Sequence, residues 1–166
     1  MRNAFTWLFS AMLLLPAVRV LHAADAPSMP GDAMAMHEHS GGFWFGHPGE
    51  ASRVTRTVAI TAVDFRFIPA EVSVRTGATV RFVVTNRGTV AHEFVIGDLA
   101  EQLAHDKEMA AMPGMPMDHD SNGVSVAPGK TATLIWTFTR PGTLQYACHV
   151  PGHYAAGMYG RLDVHG

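Results

Sequence analysis

Short runs of β-branched and aromatic residues recur from about residue 54 to the end of the chain. Apolar and polar positions alternate within these runs, as at Val80, Phe82 and Val84, and turn residues such as those at 86–88 separate them. Alternation with a period of two predicts half-buried β-strands. About eight such runs in about 110 residues are typical of a Greek-key β-sandwich. The predicted strands lie near residues 54–63, 72–74, 80–84, 92–96, 123–126, 131–138, 143–148 and 160–164.

One insert, residues 98–122, breaks this alternation. Asp98 and Glu101 form a capping-box pattern, which predicts the start of a short helix that Pro113 ends. The Met-, Pro- and Gly-rich stretch 112–120 predicts an exposed loop. We therefore expect an all-β sandwich with one short helix in the insert.

The N-terminal third lacks the pattern of a folded domain. Arg2 and the apolar run 4–18 are typical of a secretory signal over residues 1–26, and an uncleaved membrane anchor is the alternative. Residues 27–51 are rich in Gly, Pro, Met and His, which predicts a flexible tail. The expected organisation is a signal peptide, this tail and one domain at 52–166, exported to the periplasm.

Charge and cysteine content narrow the function. The formal net charge is −2 with His neutral, and the absence of a basic run argues against a nucleic-acid partner. Cys148 is the single cysteine, so it has no second thiol in the chain with which to form a disulfide after export to an oxidising compartment. A buried inert thiol, an intermolecular disulfide or a bound soft metal would explain it.

The residues after Cys148 favour the metal. His153 and Met158 follow on the same predicted turn, between two strands. A thiolate, a weak thioether and two imidazoles form the trigonal His₂Cys set with a long axial Met that suits copper in electron transfer. His92 is the candidate for the second imidazole, because it begins a predicted strand while its competitors lie in the helix, the tail, the Met-rich loop or at the C-terminus. Zinc is the rival metal, but Met is a poor ligand for it.

These residues resemble a known family. The span from Val54 to Val164 is similar to the cupredoxins, and the Cys148–Met158 loop is especially similar to the ligand loop of rusticyanin and plastocyanin. The helix and the Met-rich insert resemble periplasmic cupredoxins associated with bacterial copper tolerance. The resemblance implies one type 1 copper centre, with His153 as a partly exposed ligand through which electrons pass. Glu93 stands where many cupredoxins have Asn or Ser.

The predicted function is one-electron transfer and copper binding, linked to copper tolerance, and not enzymatic catalysis. The expected partners are copper ions and a redox protein, either a cytochrome or a copper protein, and the chain is expected to be a monomer. A copper oxidase is less favoured, because Ala147 occupies one flank of the cysteine; His149, on the other flank, is interpreted as a surface residue.

A second hypothesis is a periplasmic copper chaperone or sequestration protein. Thioethers favour Cu(I) and imidazoles also accept Cu(II), so Met and His clusters outside the sandwich could capture exported copper. The predicted auxiliary ligands are Met34, Met36, His37, His39, Met112, Met115, Met117 and His119.

Overall fold

The computed structural model describes residues 42–112 and 121–166. The predicted signal peptide, residues 27–41 of the predicted tail and residues 113–120 of the Met-rich loop lie outside these ranges. The strands of the described residues are β1 (Gly46–Pro48), β2 (Arg56–Val63), β3 (Arg66–Ile68), β4 (Glu71–Arg75), β5 (Thr79–Asn86), β6 (His92–Gly97), β7 (Gly123–Val126), β8 (Thr131–Phe138), β9 (Gly142–Ala147) and β10 (Tyr159–His165); helix α1 is Leu99–Ala111, and Ala51–Arg53 form a 3₁₀ turn.

The strands form two sheets that enclose the core. One has the order β1-β8-β5-β2-β3 and the other the order β4-β10-β9-β6-β7. The pairs β2–β5 and β10–β4 are parallel, and the remaining neighbours are antiparallel. Aromatic side chains from both sheets meet between them: Phe82 and Trp136 from the first, Phe94 and Tyr146 from the second, all fully buried. The predicted β-sandwich with a short helix is confirmed.

Strands β1 and β3 were not predicted, because three residues are too few to show an alternating pattern. β1 extends the sandwich into the predicted tail: it pairs with β8, and the adjacent Phe45 ring is buried against Trp136. Gly46 permits this approach, since a Cβ there would lie 2.0 Å from the Thr137 carbonyl oxygen. The tail prediction therefore does not hold for the residues around β1, and the other domain limits remain a prediction.

Helix α1 begins with the predicted capping box. The Asp98 carboxylate accepts the Glu101 backbone N–H at 2.9 Å, and the Glu101 carboxylate accepts the Asp98 N–H at 2.8 Å. Leu99 and Leu103 are exposed, whereas Gln102 is buried against the sheet. No helix among the described residues has the length and apolar character needed to cross a membrane.

Candidate metal centre

Three predicted ligands converge at one end of the second sheet. His92 is the first residue of β6, and Cys148 directly follows β9. The Cys148 Sγ lies 3.8 Å from His92 Nδ1 and 3.4 Å from His153 Nδ1. All three side chains are buried, and their ligand atoms lie within 4.8 Å of one another. A sulfur and two nitrogens at this spacing fit a single metal ion.

Met158, the fourth predicted ligand, is held on the same loop. It is fully buried and immediately precedes β10. The Cys148 backbone N–H donates to the Met158 carbonyl at 3.1 Å, and the Met158 N–H donates to the His153 carbonyl at 3.0 Å. Gly152 and Gly157 have φ angles of +87° and +91°, which favour glycine. The Pro-Gly turn predicted from the sequence thus brings Met158 back beside Cys148.

The environment of the Cys148 sulfur favours a bound cation. The pKa of the copper-free Cys148 thiol is raised to about 11, mainly by burial and to a lesser extent by the nearby Glu93 charge, although the Glu93 backbone N–H, 3.3 Å from Sγ, opposes this rise. A buried thiolate without a counter-charge is costly, and a metal ion supplies that charge directly. The donor set of soft sulfur and two imidazoles fits copper.

The His92 ring is oriented by a carboxylate that the sequence analysis did not identify. The Nε2 atom of His92 lies 3.2 Å from Asp64 Oδ1, which leaves Nδ1 facing Cys148. Burial lowers the pKa of His92, although Asp64 opposes this. Because a carboxylate accepts hydrogen bonds, the ring nitrogen that faces Asp64, Nε2, carries the proton. Asp64 occupies the turn between β2 and β3, 28 residues from His92, and no local motif links the two.

The His153 ring is less enclosed than its partner imidazole. It is 7% exposed, against 0% for His92, and the exposed Phe65 ring packs edge-on against it at a centroid distance of 5.1 Å. Burial is the main cause that lowers the pKa of His153, followed by repulsion from His92. The resemblance implied a partly exposed ligand; His153 is buried but keeps more exposure than His92, and Phe65 packs against it.

The interpretation of His149 as a surface residue was wrong, because the ring is fully buried beneath α1. Its Nε2–H donates to Gln102 Oε1 at 2.7 Å, and its Nδ1 lies 3.4 Å from Asp106 Oδ1. The His149 backbone N–H donates to the buried Glu93 carboxylate at 3.2 Å. Burial lowers the pKa of the His149 ring to about 4. The residue after Cys148 is thus tied both to β6 and to the helix.

The predicted auxiliary ligands fall almost entirely outside the described residues. Met112 is the exception: it is the C-cap of α1, and its side chain is exposed. The other seven lie at residues 34–39 and 115–119, so their role remains a prediction.

Comparison with known proteins agrees with the geometry. The family model of copper binding proteins of the plastocyanin/azurin family matches residues 54–165. The chain is 44% identical over 143 residues to the copper-resistant cuproprotein CopI of Rubrivivax gelatinosus, which covers 85% of this chain and 86% of that protein. It is 38% identical over 183 residues to CopI of Pseudomonas aeruginosa, an alignment that covers 91% of this chain and 96% of that protein.

Solved structures show the same fold. Dithionite-reduced auracyanin from the photosynthetic bacterium Roseiflexus castenholzii superposes with a TM-score of 0.58 at 29% identity, over 67% of this chain and 98% of that one. A multicopper oxidase from Campylobacter jejuni superposes with a TM-score of 0.50 at 15% identity, over 72% of this chain but 31% of that one. The oxidase likeness is therefore one of fold alone.

Proposed function

Since the chain belongs to the plastocyanin/azurin family of copper-binding proteins, we propose that His92, Cys148, His153 and Met158 hold one type 1 copper ion for one-electron transfer. The protein is a copper-binding protein linked to copper resistance, in line with its CopI relatives. The observation that carries the ligand assignment is the meeting of two imidazole Nδ1 atoms and a buried cysteine sulfur within 4.8 Å.

The residues around the site suit electron transfer. A bound copper ion supplies a one-electron couple between Cu(I) and Cu(II). The chain's own contribution is a buried site: the ligand side chains are buried, backbone hydrogen bonds hold the Cys148–Met158 loop, and the Glu93 N–H of β6 donates to the Cys148 sulfur. Fixed ligands keep structural change between the two oxidation states small. Among the four ligands His153 alone keeps some exposure, which makes it the ligand nearest to an incoming redox protein.

An oxidase function is not favoured. A type 1 centre in an oxidase has to pass electrons from the cysteine towards a second copper cluster. The ring nitrogens of His149, the residue next to that cysteine, face Gln102 and Asp106 instead. We infer that the chain is an electron carrier without a substrate. In this proposal residues 1–26 direct its export, and the protein acts in the periplasm as a monomer with a cytochrome or a copper protein as its partner.

Replacing Cys148 tests the central assignment. Cys148→Ser in the purified mature protein is expected to abolish the strong thiolate-to-copper absorption and the reversible voltammetric wave. The matched control is His47→Gln, because His47 is an exposed histidine of β1 rather than a member of the ligand group. Retention of the absorption in the Cys148 variant would refute the assignment.

The second function, copper capture, is supported by the exposed Met112 at the start of the Met-rich loop. Copper stoichiometry separates the two roles. Wild-type protein is expected to bind more than one copper ion, and a variant lacking residues 27–41 together with Leu replacements of Met112, Met115 and Met117 should bind one. This deletion spares β1 and Phe45. A stoichiometry of one copper for wild type and variant alike would reject the auxiliary sites.

A further inference from the structure

Asp64 joins two separate segments at the metal centre. It lies in the turn between β2 and β3, whereas Thr89 and His92 belong to the segment that leads into β6. The Thr89 backbone N–H donates to Asp64 Oδ1 at 3.1 Å, and the Thr89 hydroxyl donates to Oδ2 at 2.9 Å. His92 Nε2–H donates to Oδ1 at 3.2 Å. The carboxylate therefore accepts three hydrogen bonds from one short segment.

This arrangement fixes the chemical form of the His92 ring. The ring is fully buried, so Nε2–H has no access to bulk water as an alternative acceptor. A carboxylate acceptor holds the proton on Nε2 and leaves the Nδ1 lone pair directed at Cys148 Sγ. A carboxylate behind a ligating imidazole also raises its basicity, and loss of such a partner typically lowers metal affinity about 10–100-fold.

The contact is closely packed. Gly88 has room only for hydrogen at its Cα: a Cβ there would lie 2.3 Å from Asp64 Oδ1 and 2.6 Å from His92 Nε2. The backbone at Gly88 thus encloses the hydrogen bond from one side. Although the Asp64 side chain is 38% exposed, its inner oxygen faces a buried ring. All three neighbouring groups donate to the Asp64 carboxylate, which suits its charged form.

We propose that Asp64 is a positioning residue of the copper centre: its carboxylate fixes His92 with Nδ1 towards the metal and, by its negative charge, favours Cu(II) over Cu(I). This inference rests on the proposed function. The expected consequence is a lower reduction potential than the same ligand set would have with a neutral acceptor, because a more basic imidazole and a nearby negative charge stabilise the higher oxidation state more.

Asp64→Asn removes the charge and keeps the side-chain shape, whereas Asp64→Ala also removes the acceptor. Asp163→Asn is the matched control, because the Asp163 side chain is equally exposed at 38%, is also hydrogen-bonded and is not among the contacts of His92. Both Asp64 variants are expected to raise the reduction potential. Each tenfold loss of Cu(II) affinity relative to Cu(I) corresponds to about 59 mV. The control should leave the potential unchanged.

A second measurement uses the copper-free protein and so does not depend on the metal assignment. Long-range ¹H–¹⁵N spectra should show His92 protonated on Nε2 in the wild type and in Asp163→Asn. In Asp64→Ala the ring should populate both tautomers, and Asp64→Asn should restore the wild-type tautomer through its amide oxygen. If Asp64 only stabilised the fold, Asp64→Asn would not raise the reduction potential while keeping the wild-type tautomer of His92.

The outcomes separate the two proposals. A wild-type protein without thiolate-to-copper absorption would overturn the proposed function and this inference with it. Normal absorption in every variant, with the potential of Asp64→Asn equal to that of Asp163→Asn, would overturn the inference alone. A wild-type His92 protonated on Nδ1 in the copper-free protein would also overturn it.

Discussion

Gln102→Leu tests how helix α1 is held against the sheet beside the metal centre. Gln102 is 1% exposed. Its Nε2 donates to the carbonyls of Val95 and Gln145 at 3.0 and 3.2 Å, and its Oε1 accepts the His149 Nε2–H at 2.7 Å. One side chain thus connects the helix to β6, to β9 and to the residue after Cys148. Leucine has a similar size but can neither donate nor accept a hydrogen bond.

The expected loss of stability follows from these three bonds. The two bonds to carbonyl oxygens contribute about 0.5–1.5 kcal/mol each, and loss of the third leaves the buried His149 N–H without its acceptor, which costs about 1–3 kcal/mol. Burial of the apolar leucine side chain offsets about 1–2 kcal/mol of this. We expect a net decrease of about 2–4 kcal/mol in the free energy of unfolding, which is a large effect for a single substitution.

Urea denaturation of the copper-free protein measures this loss, because bound metal would itself stabilise the folded state. The control is Leu103→Ala, which changes the neighbouring, exposed residue of the same helix and should alter stability by less than about 0.5 kcal/mol. If Gln102→Leu were no more destabilising than this control, the reasoning that Gln102 anchors the helix would be refuted.

Three further predictions concern the residues around the ligands. Gly88→Ala would place a methyl group 2.3 Å from Asp64 Oδ1, so it should raise the reduction potential by parting Asp64 from His92 without changing any charge; voltammetry with an unchanged potential would contradict this. Glu93→Gln should also raise the reduction potential, because it removes a buried negative charge near Cys148. The amide oxygen of the glutamine can still accept the His149 backbone N–H. A potential within error of the wild type would argue against this charge effect. The pKa of the Cys148 thiol is raised to about 11, mainly by burial. The thiol should therefore react slowly with a disulfide reagent at pH 8 in the folded copper-free protein and fast after denaturation. Equal rates would show that the thiol is accessible in the folded protein.

The sequence predicted those parts of the structure that are encoded locally. Alternation revealed the eight longer strands, and the ligands Cys148, His153 and Met158 stand together because all three lie within one loop. His92 was assigned from its place at the start of a strand, and the structure places its ring beside the cysteine sulfur. The capping box of α1 was also readable, since its two members are three residues apart.

Contacts between distant segments could not be predicted in this way. Asp64 and His92 are 28 residues apart, and Gln102 and His149 are 47 apart. A single polar residue carries no periodic pattern that shows which distant segment it will meet. His149 therefore looked like a surface residue, although long-range hydrogen bonds from its backbone to Glu93 and from its ring to Gln102 accompany its burial.

These long-range contacts bear on which role the buried site is suited to. Asp64 orients His92, Glu93 joins the strand of His92 to the residue after Cys148, and Gln102 fixes that residue from the helix. The ligand atoms are thus held close together by hydrogen bonds that need no metal, so little rearrangement has to accompany a change in oxidation state. Copper capture from solution calls instead for accessible and adaptable ligands. This contrast supports the proposed electron transfer at the buried site; under the second hypothesis, copper capture would fall to the Met- and His-rich segments outside the sandwich.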